Sequence, residues 1–332
     1  MDIQQVAKRA KVSTATVSRV LNGSPSVREE TSEHVRRVIA ELNYVPNTHA
    51  RSLRVGRARM FGLIVSDINN PFFPELIDAF EALAAQQGID VIFMHTNYDP
   101  KRLKSCIRRM VERSVDGIAV MTSEVDEEAL EMAPARVPLV LMNQPAYIGK
   151  YRNVPVEYST GFREALDHLR FLGHTDIGFI SGPSTLSSAK RRHQEWAIAM
   201  KRLKLRVRRE RIVTGDMRVE GGERAMRELM SLATRPTAVL TSNDLMAIGA
   251  LQAASNAGLS IPEDISIIGF DDLPIASMVV PQLTTIQLPR REIAAYAFSS
   301  LLQATREGIV AECAIVHPRL IVRKSTGPPR RS

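Results

Sequence analysis

Cysteine is nearly missing from this chain: Cys106 and Cys313 are the only two in 332 residues. Two thiols exclude a disulfide framework and a cysteine-rich zinc module, and they suit a reducing compartment. Long apolar runs are missing as well. None approaches the roughly 18 residues that would span a bilayer, so no membrane partner is expected. The N-terminal MDIQQVAKRA lacks the apolar stretch of a secretory signal, which points to the cytoplasm. Enzyme signatures are absent: no GxGxxG follows a strand-like run, and there is no GxxxxGKS or GxxxxGKT and no HExxH. Histidines 34, 49, 95, 168, 174, 193 and 317 are scattered singly, so no metal site, cofactor or catalytic residue is expected.

Charge is present, but unevenly. Residues 1–60 carry 11 Lys/Arg against 5 Asp/Glu, a net +6 of the chain's +8. Residues 61–332 hold the remaining 33 and 31, a net +2. A basic end on a near-neutral body suggests a polyanion as the partner of that end.

That basic end reads as three short helices. Ile3, Val6, Ala7 and Ala10 form a helical stripe. Ser13 can cap a second helix holding Val17, Val20 and Leu21, and Asn22-Gly23 ends it. Ser26 and Glu29 have capping-box spacing, which predicts the start of a third helix carrying Val35, Val38, Ile39 and Leu42. Residues 3–22 thus fit a helix-turn-helix whose second helix, Thr14–Leu21, lies in the major groove of double-stranded DNA. Thr14 and Ala15 are placed to meet base edges, and Arg19 can reach a guanine edge or a phosphate. Ser13, Thr16, Ser18 and Asn22 supply donors for phosphates. Residues 47–59 have few apolar side chains and four arginines, a linker only marginally helical by itself.

From residue 60 short apolar runs alternate with amphipathic stretches. Strands are predicted at 61–65, 91–94, 117–121, 138–142, 177–181, 238–241 and 265–269. Helices are predicted at 74–87, 103–113, 161–172, 220–233 and 244–257 among others. Strands apolar on both faces signal parallel sheets covered by helices. About 270 residues of this pattern exceed one comfortable core, so two α/β lobes follow.

VAKRAKVSTATVSRVLNG and ELNYVPNTHARSLRVG closely resemble the lac repressor (LacI/GalR) family of bacterial transcription factors. So do NPFF (70–73), LGHTDIGFISGP (172–183), RPTAVLTSNDLMAIGAL (235–251), ISIIGFDD (265–272), PQLTTI (281–286) and HPRLIVRKST (317–326), in the family's order. The resemblance implies an N-terminal all-α helix-turn-helix headpiece (1–46), a hinge (47–59) and a two-lobed periplasmic-binding-protein-like α/β core (60–332). It implies that the hinge folds on operator DNA, with Ala50 at the contact and Leu53 as the wedge that kinks the duplex. It places effector-binding residues at Phe72, Phe73, Asn143, Ser188, Arg192, Met217, Asn243 and Asp271. Lys11 departs from the family's usual Gly or Asn at the turn, where positive φ strains a bulky residue.

The implied protein is a homodimeric repressor on a palindromic operator, cytoplasmic and nucleoid-associated. The C-terminal RKSTGPPRRS carries no leucine heptad of the kind that makes tetramers. The effector is expected to be a sugar or sugar acid, with a purine-type corepressor as the alternative. Asn143 stands where many members carry Asp, and Glu195 replaces a usual glycine; the lost carboxylate at 143 and the positive charge of Lys190 and Arg191 suit an anionic ligand. An exported sugar-binding protein would have no use for residues 1–59.

Overall fold

A computed structural model of the chain describes residues 2–21, 24–44, 58–147, 149–307 and 314–330. They fall into two compact units, Met1–Ala58 and Arg59–Ser332.

Among its described residues the first unit holds three helices, α1 (Ile3–Ala10), α2 (Thr14–Leu21) and α3 (Glu29–Glu41). Val6, Ala7, Ala10, Val17, Val20, Val35 and Val38 form its buried core. Asp2 and Gln5 cap α1 reciprocally, at 2.9 and 3.0 Å, a capping box not anticipated from sequence. The expected box at Ser26 and Glu29 is corrected. Helix α3 begins at Glu29 with Arg28 in the cap position and no side-chain cap. The Ser26 hydroxyl is instead engaged with the Ser24 hydroxyl at 2.8 Å, inside the preceding turn. Glu29 and Glu30 still place negative charge in the first turn, where the helix dipole favours it.

Lys11 takes φ 52° and ψ 41° between α1 and α2, the left-handed conformation that ends the first helix. Such backbone costs an L-residue roughly 1–2 kcal/mol, a cost glycine escapes. Lys11→Gly is therefore expected to stabilise the headpiece by up to about 1 kcal/mol, the flexibility of unfolded glycine offsetting part of the gain. Slower exchange of headpiece amides in the full-length chain checks this; faster exchange would show that Lys11 is not strained.

The second unit contains two sheets. Strands β1 (Met60–Val65), β2 (Asp90–His95), β3 (Gly117–Met121), β4 (Leu139–Met142) and β5 (Arg152–Val154) pair in the order β2-β1-β3-β4-β5, all parallel. Strands β6 (Ile177–Ser181), β7 (Ile212–Thr214), β8 (Ala238–Thr241), β9 (Ser266–Asp271), β10 (Thr284–Gln287) and β11 (Arg319–Ile321) form the other sheet, in the order β11-β10-β9-β8-β6-β7. Only the β10–β11 pair is antiparallel.

Helices α4 (Phe72–Gln86), α5 (Pro100–Glu112) and α6 (Glu127–Glu131) belong to the first lobe. Helices α7 (Tyr158–Leu172), α8 (Ser187–Arg202), α9 (Val219–Met230) and α10 (Asp244–Asn256) belong to the second. The chain passes from β5 to α7, returns from β10 to α11 (Arg290–Glu307), and passes back to β11, so the lobes are joined by three crossovers. Helix α11 packs on the first lobe, where Phe298 meets Phe61 and Phe80 edge-on at 6.0 and 5.6 Å. Helices α9 and α10 approach at Gly222 and Gly249. A Cβ on either would lie 2.1 Å from Met246 O or 2.0 Å from Val219 O, so no side chain fits at these contacts.

Candidate functional site

In the headpiece, Ser13 caps α2: its Oγ accepts from the Thr16 amide at 3.1 Å and meets the Thr16 hydroxyl at 2.9 Å. Thr14, Ala15 and Arg19 are exposed on the outer face of α2, while Val17 and Val20 face the core. Ser18 requires a correction. It is 7% exposed, on the buried side of the helix with Val17, so little of its side chain is open to a phosphate. Asn22, Ala50 and Leu53 lie outside the described residues.

In the core, loops at the C-terminal ends of both sheets' strands face one cleft, the position where open α/β sheets hold ligands. Side chains of both lobes line it. Phe72, Phe73, Asn143, Ser188, Arg192, Met217 and Asp271 all line it, although they are as much as 199 positions apart in sequence. Asn243 does not line it, and that expectation is corrected. Its side chain is fully buried as the cap of α10, accepting from the Met246 amide at 3.0 Å and donating to Met217 O at 2.8 Å. The bond to Met217 O holds the backbone that carries the Met217 side chain into the cleft lining.

Arg192 and Asp271 form the centre of the cleft wall. Nη2 of Arg192 donates to Asp271 Oδ1 at 3.1 Å and Nη1 to Ser242 O at 2.5 Å, with both side chains under 10% exposed. The guanidinium lies 4.0 Å from the Phe270 ring centroid and 5.6 Å from that of Tyr158. Burial opposes the Arg192 charge, but Asp271 and Tyr158 outweigh it and hold the group charged. Burial also pushes the Asp271 carboxyl up, and the Arg192 and Arg290 cations only partly offset it. The Arg192 Nε is buried without a hydrogen-bond partner among the described residues. A buried ion pair is weak evidence for stability, because desolvation offsets its Coulomb energy. Perturbed, desolvated groups converging on a cleft are evidence for a site.

Lys190 and Arg191, the two added cations, part ways. Arg191 lines the mouth and donates across the lobes to Asn143 O at 2.7 Å, while Lys190 is exposed and does not line the cleft. Two further bonds join the lobes: Ser187 Oγ to Ser123 O at 2.6 Å and Ser123 Oγ to Ser188 Oγ at 3.3 Å. Tyr98 was missed. It lines the cleft, and its hydroxyl is raised well above the usual range by burial. No local sequence motif marks it, although Asn97 and Tyr98 after β2 both take left-handed backbone, with φ 53° and 59°.

A helix-turn-helix with an outward polar face, together with a two-lobed cleft built around a buried charge pair, defines a ligand-controlled DNA-binding protein. Residues 2–47 match the bacterial regulatory proteins of the lacI family, and residues 166–326 match a periplasmic binding protein-like domain. The HTH-type transcriptional repressor PurR of Serratia proteamaculans is 37% identical over 330 residues, covering 97% of this chain and 96% of its own. PurR of Pasteurella multocida is 35% identical over 327 residues, covering 97% and 98%. The lac repressor dimer bound to operator and the anti-inducer ONPF superposes with TM-score 0.89 at 27% identity, over 98% of this chain and 99% of that one. The chain belongs to the LacI family, one of transcriptional regulators and not of enzymes, and it is a DNA-binding transcriptional repressor.

Proposed function

We propose that the cleft is the effector site of this repressor and that the effector is a purine-type corepressor. The observation that carries the site is the buried Arg192–Asp271 pair facing the Phe72 and Phe73 rings of the opposite lobe. A purine offers ring N–H donors to a carboxylate, acceptors to a guanidinium, and a flat face to aromatic edges. The full-length relatives named PurR favour this choice over a sugar. Headpiece (1–46), hinge (47–59) and core (60–332) divide the labour. Ser13, Thr14, Ala15, Thr16, Arg19 and Asn22 meet a palindromic operator, and Ala50 and Leu53 meet its centre. The working unit is a cytoplasmic, nucleoid-associated homodimer.

One observation favours a second reading. Arg191 and Arg192 set two guanidinium groups against the single Asp271 carboxylate among the lining side chains, which suits a sugar acid. Sugars also stand in the solved complexes of the regulator CelR with cellobiose, at TM-score 0.70, and of an Enterococcus faecium relative with ribose, at 0.72.

Thermal unfolding with hypoxanthine, guanine, ribose, cellobiose and gluconate separates the two. A ligand at a hundred times its Kd adds about 2.7 kcal/mol, which for a core of this size raises Tm by roughly 5 °C or more. The purine reading expects that shift with a purine base, together with tighter operator binding in a mobility-shift titration. A shift with gluconate alone would establish the sugar-acid reading in its place.

A further inference from the structure

Arg290 opens α11 at the crossover where the chain leaves β10 in the second sheet for the first lobe. Its guanidinium reaches both sides. Nε donates to Glu75 Oε2 at 2.6 Å, on α4 one turn after Phe72. Nη1 donates to the Asp271 carbonyl at 2.5 Å and Nη2 to the Asp272 carbonyl at 2.8 Å. The guanidinium carbon also stands 6.0 Å from the Phe72 ring centroid.

The two peptides it holds are unusual. Asp271 and Asp272 have φ of 116° and 56°, consecutive left-handed residues that are not glycine. Such backbone persists only where its surroundings hold it. Here the Asp272 carboxylate is bound by Arg323 at 2.6 Å and Gln287 at 2.7 Å, and the Leu273 amide by Asp244 at 2.7 Å. Arg290 takes the carbonyls. One side chain therefore ties the backbone beneath Asp271, on one wall of the cleft, to the helix that carries Phe72 and Phe73 on the other. Glu75 has its second oxygen buried without a partner among the described residues, so its hydrogen bonding depends on Arg290.

We infer that Arg290 and Glu75 are a positioning pair that sets the spacing of the lobes at the cleft and transmits effector binding from Asp271 to the first lobe. The inference rests on the cleft being the effector site. A ligand that bridges Asp271 and Phe72 acts on the same spacing the pair sets, and an effector shifts the lobes only by its differential affinity for their two arrangements. The fork geometry is essential, because three acceptors in two directions suit a guanidinium and not an ammonium point charge.

The test places spin labels at Lys101→Cys and Glu220→Cys, exposed positions on the two lobes, in full-length protein with Cys106→Ala and Cys313→Ser. Arg290→Gln is expected to broaden the inter-lobe distance distribution and move it outward. Glu75→Gln should do the same, the double variant should add nothing to the larger single effect, and Arg290→Lys should not restore the parent distribution. Glu75→Gln is conservative and partly exposed, so it keeps the test decisive if Arg290→Gln fails to fold. In mobility-shift titrations with hypoxanthine, the ligand-dependent gain in operator affinity should fall at least tenfold in both single variants. A narrow, unshifted distribution in both, or strictly additive effects, overturns the pair's role. If hypoxanthine leaves the parent unchanged, the purine reading falls by itself, and the label distances still decide the inference.

Discussion

Asp271→Ala is expected to lose more than a hundredfold in effector affinity and to destabilise the core by about 3–5 kcal/mol. The stability loss comes from what remains: the Arg192 guanidinium is buried, and removing its carboxylate leaves an uncompensated charge in the cleft wall. The affinity loss comes from the ligand side. A hydrogen bond to a charged group contributes roughly 1.5–3 kcal/mol, and a carboxylate accepting two donors loses both at once. Asp271→Asn separates the effects, since it keeps the shape and one acceptor for Arg192 while removing the charge. It should retain most of the stability and still lose at least tenfold in affinity. Calorimetry with the purine base that raises the parent's Tm measures one quantity, and urea unfolding the other. If Asp271→Asn binds that base as tightly as the parent, the carboxylate does not read the effector, and Asp271 serves only Arg192. For a corepressor, the same variants should bind operator no better with ligand than without it.

The helix-turn-helix was legible because each of its signals is local. The apolar stripes of α1 and α2 repeat within a turn or two, and the Lys11 backbone departs at the position where a bulky residue conflicts with a left-handed turn. Ser26 misled because a hydroxyl two residues from another can satisfy itself inside its own turn, and sequence spacing cannot rank the two partners. In the core, β1, β3, β6 and β8 were read nearly to their ends because they are apolar on both faces. Strands β5, β7, β10 and β11 are three or four residues long and contain polar side chains; sheet pairing defines them, and no periodicity does. Cleft residues such as Phe72, Arg192 and Asp271 entered through family resemblance, and the structure brings them together. Asn243 shared the same motif but is spent on its helix cap. Arg290 carried no signal at all, since its partners at 75, 271 and 272 meet it only after the second lobe crossing is built.

Arg19→Ala is expected to leave the cleft intact and to abolish selective operator binding. Arg19 is exposed on the outer face of α2, one turn beyond Ala15, and belongs to the compact unit Met1–Ala58, apart from the residues that line the cleft. Truncating it removes no core contact, so Tm and the calorimetric response to the purine base should match the parent. The loss on DNA depends on what Arg19 touches. A bidentate arginine–guanine contact is worth about 1–3 kcal/mol of discrimination, and a two-fold dimer makes it twice, so selectivity should fall by roughly 30-fold to more than a thousandfold. Binding to random DNA should then be nearly unchanged. A phosphate contact behaves differently: affinity falls alike on all sequences, and the slope of log affinity against log salt drops by about one per contact. Titrating operator and random duplexes at several salt concentrations distinguishes these outcomes. Unequal losses with an unchanged salt slope place Arg19 at a base edge; equal losses with a reduced slope place it on the backbone and shift base reading to Thr14 and Ala15. An Arg19→Ala protein that still binds its operator as the parent does would mean that the outer face of α2 is not the surface that meets DNA.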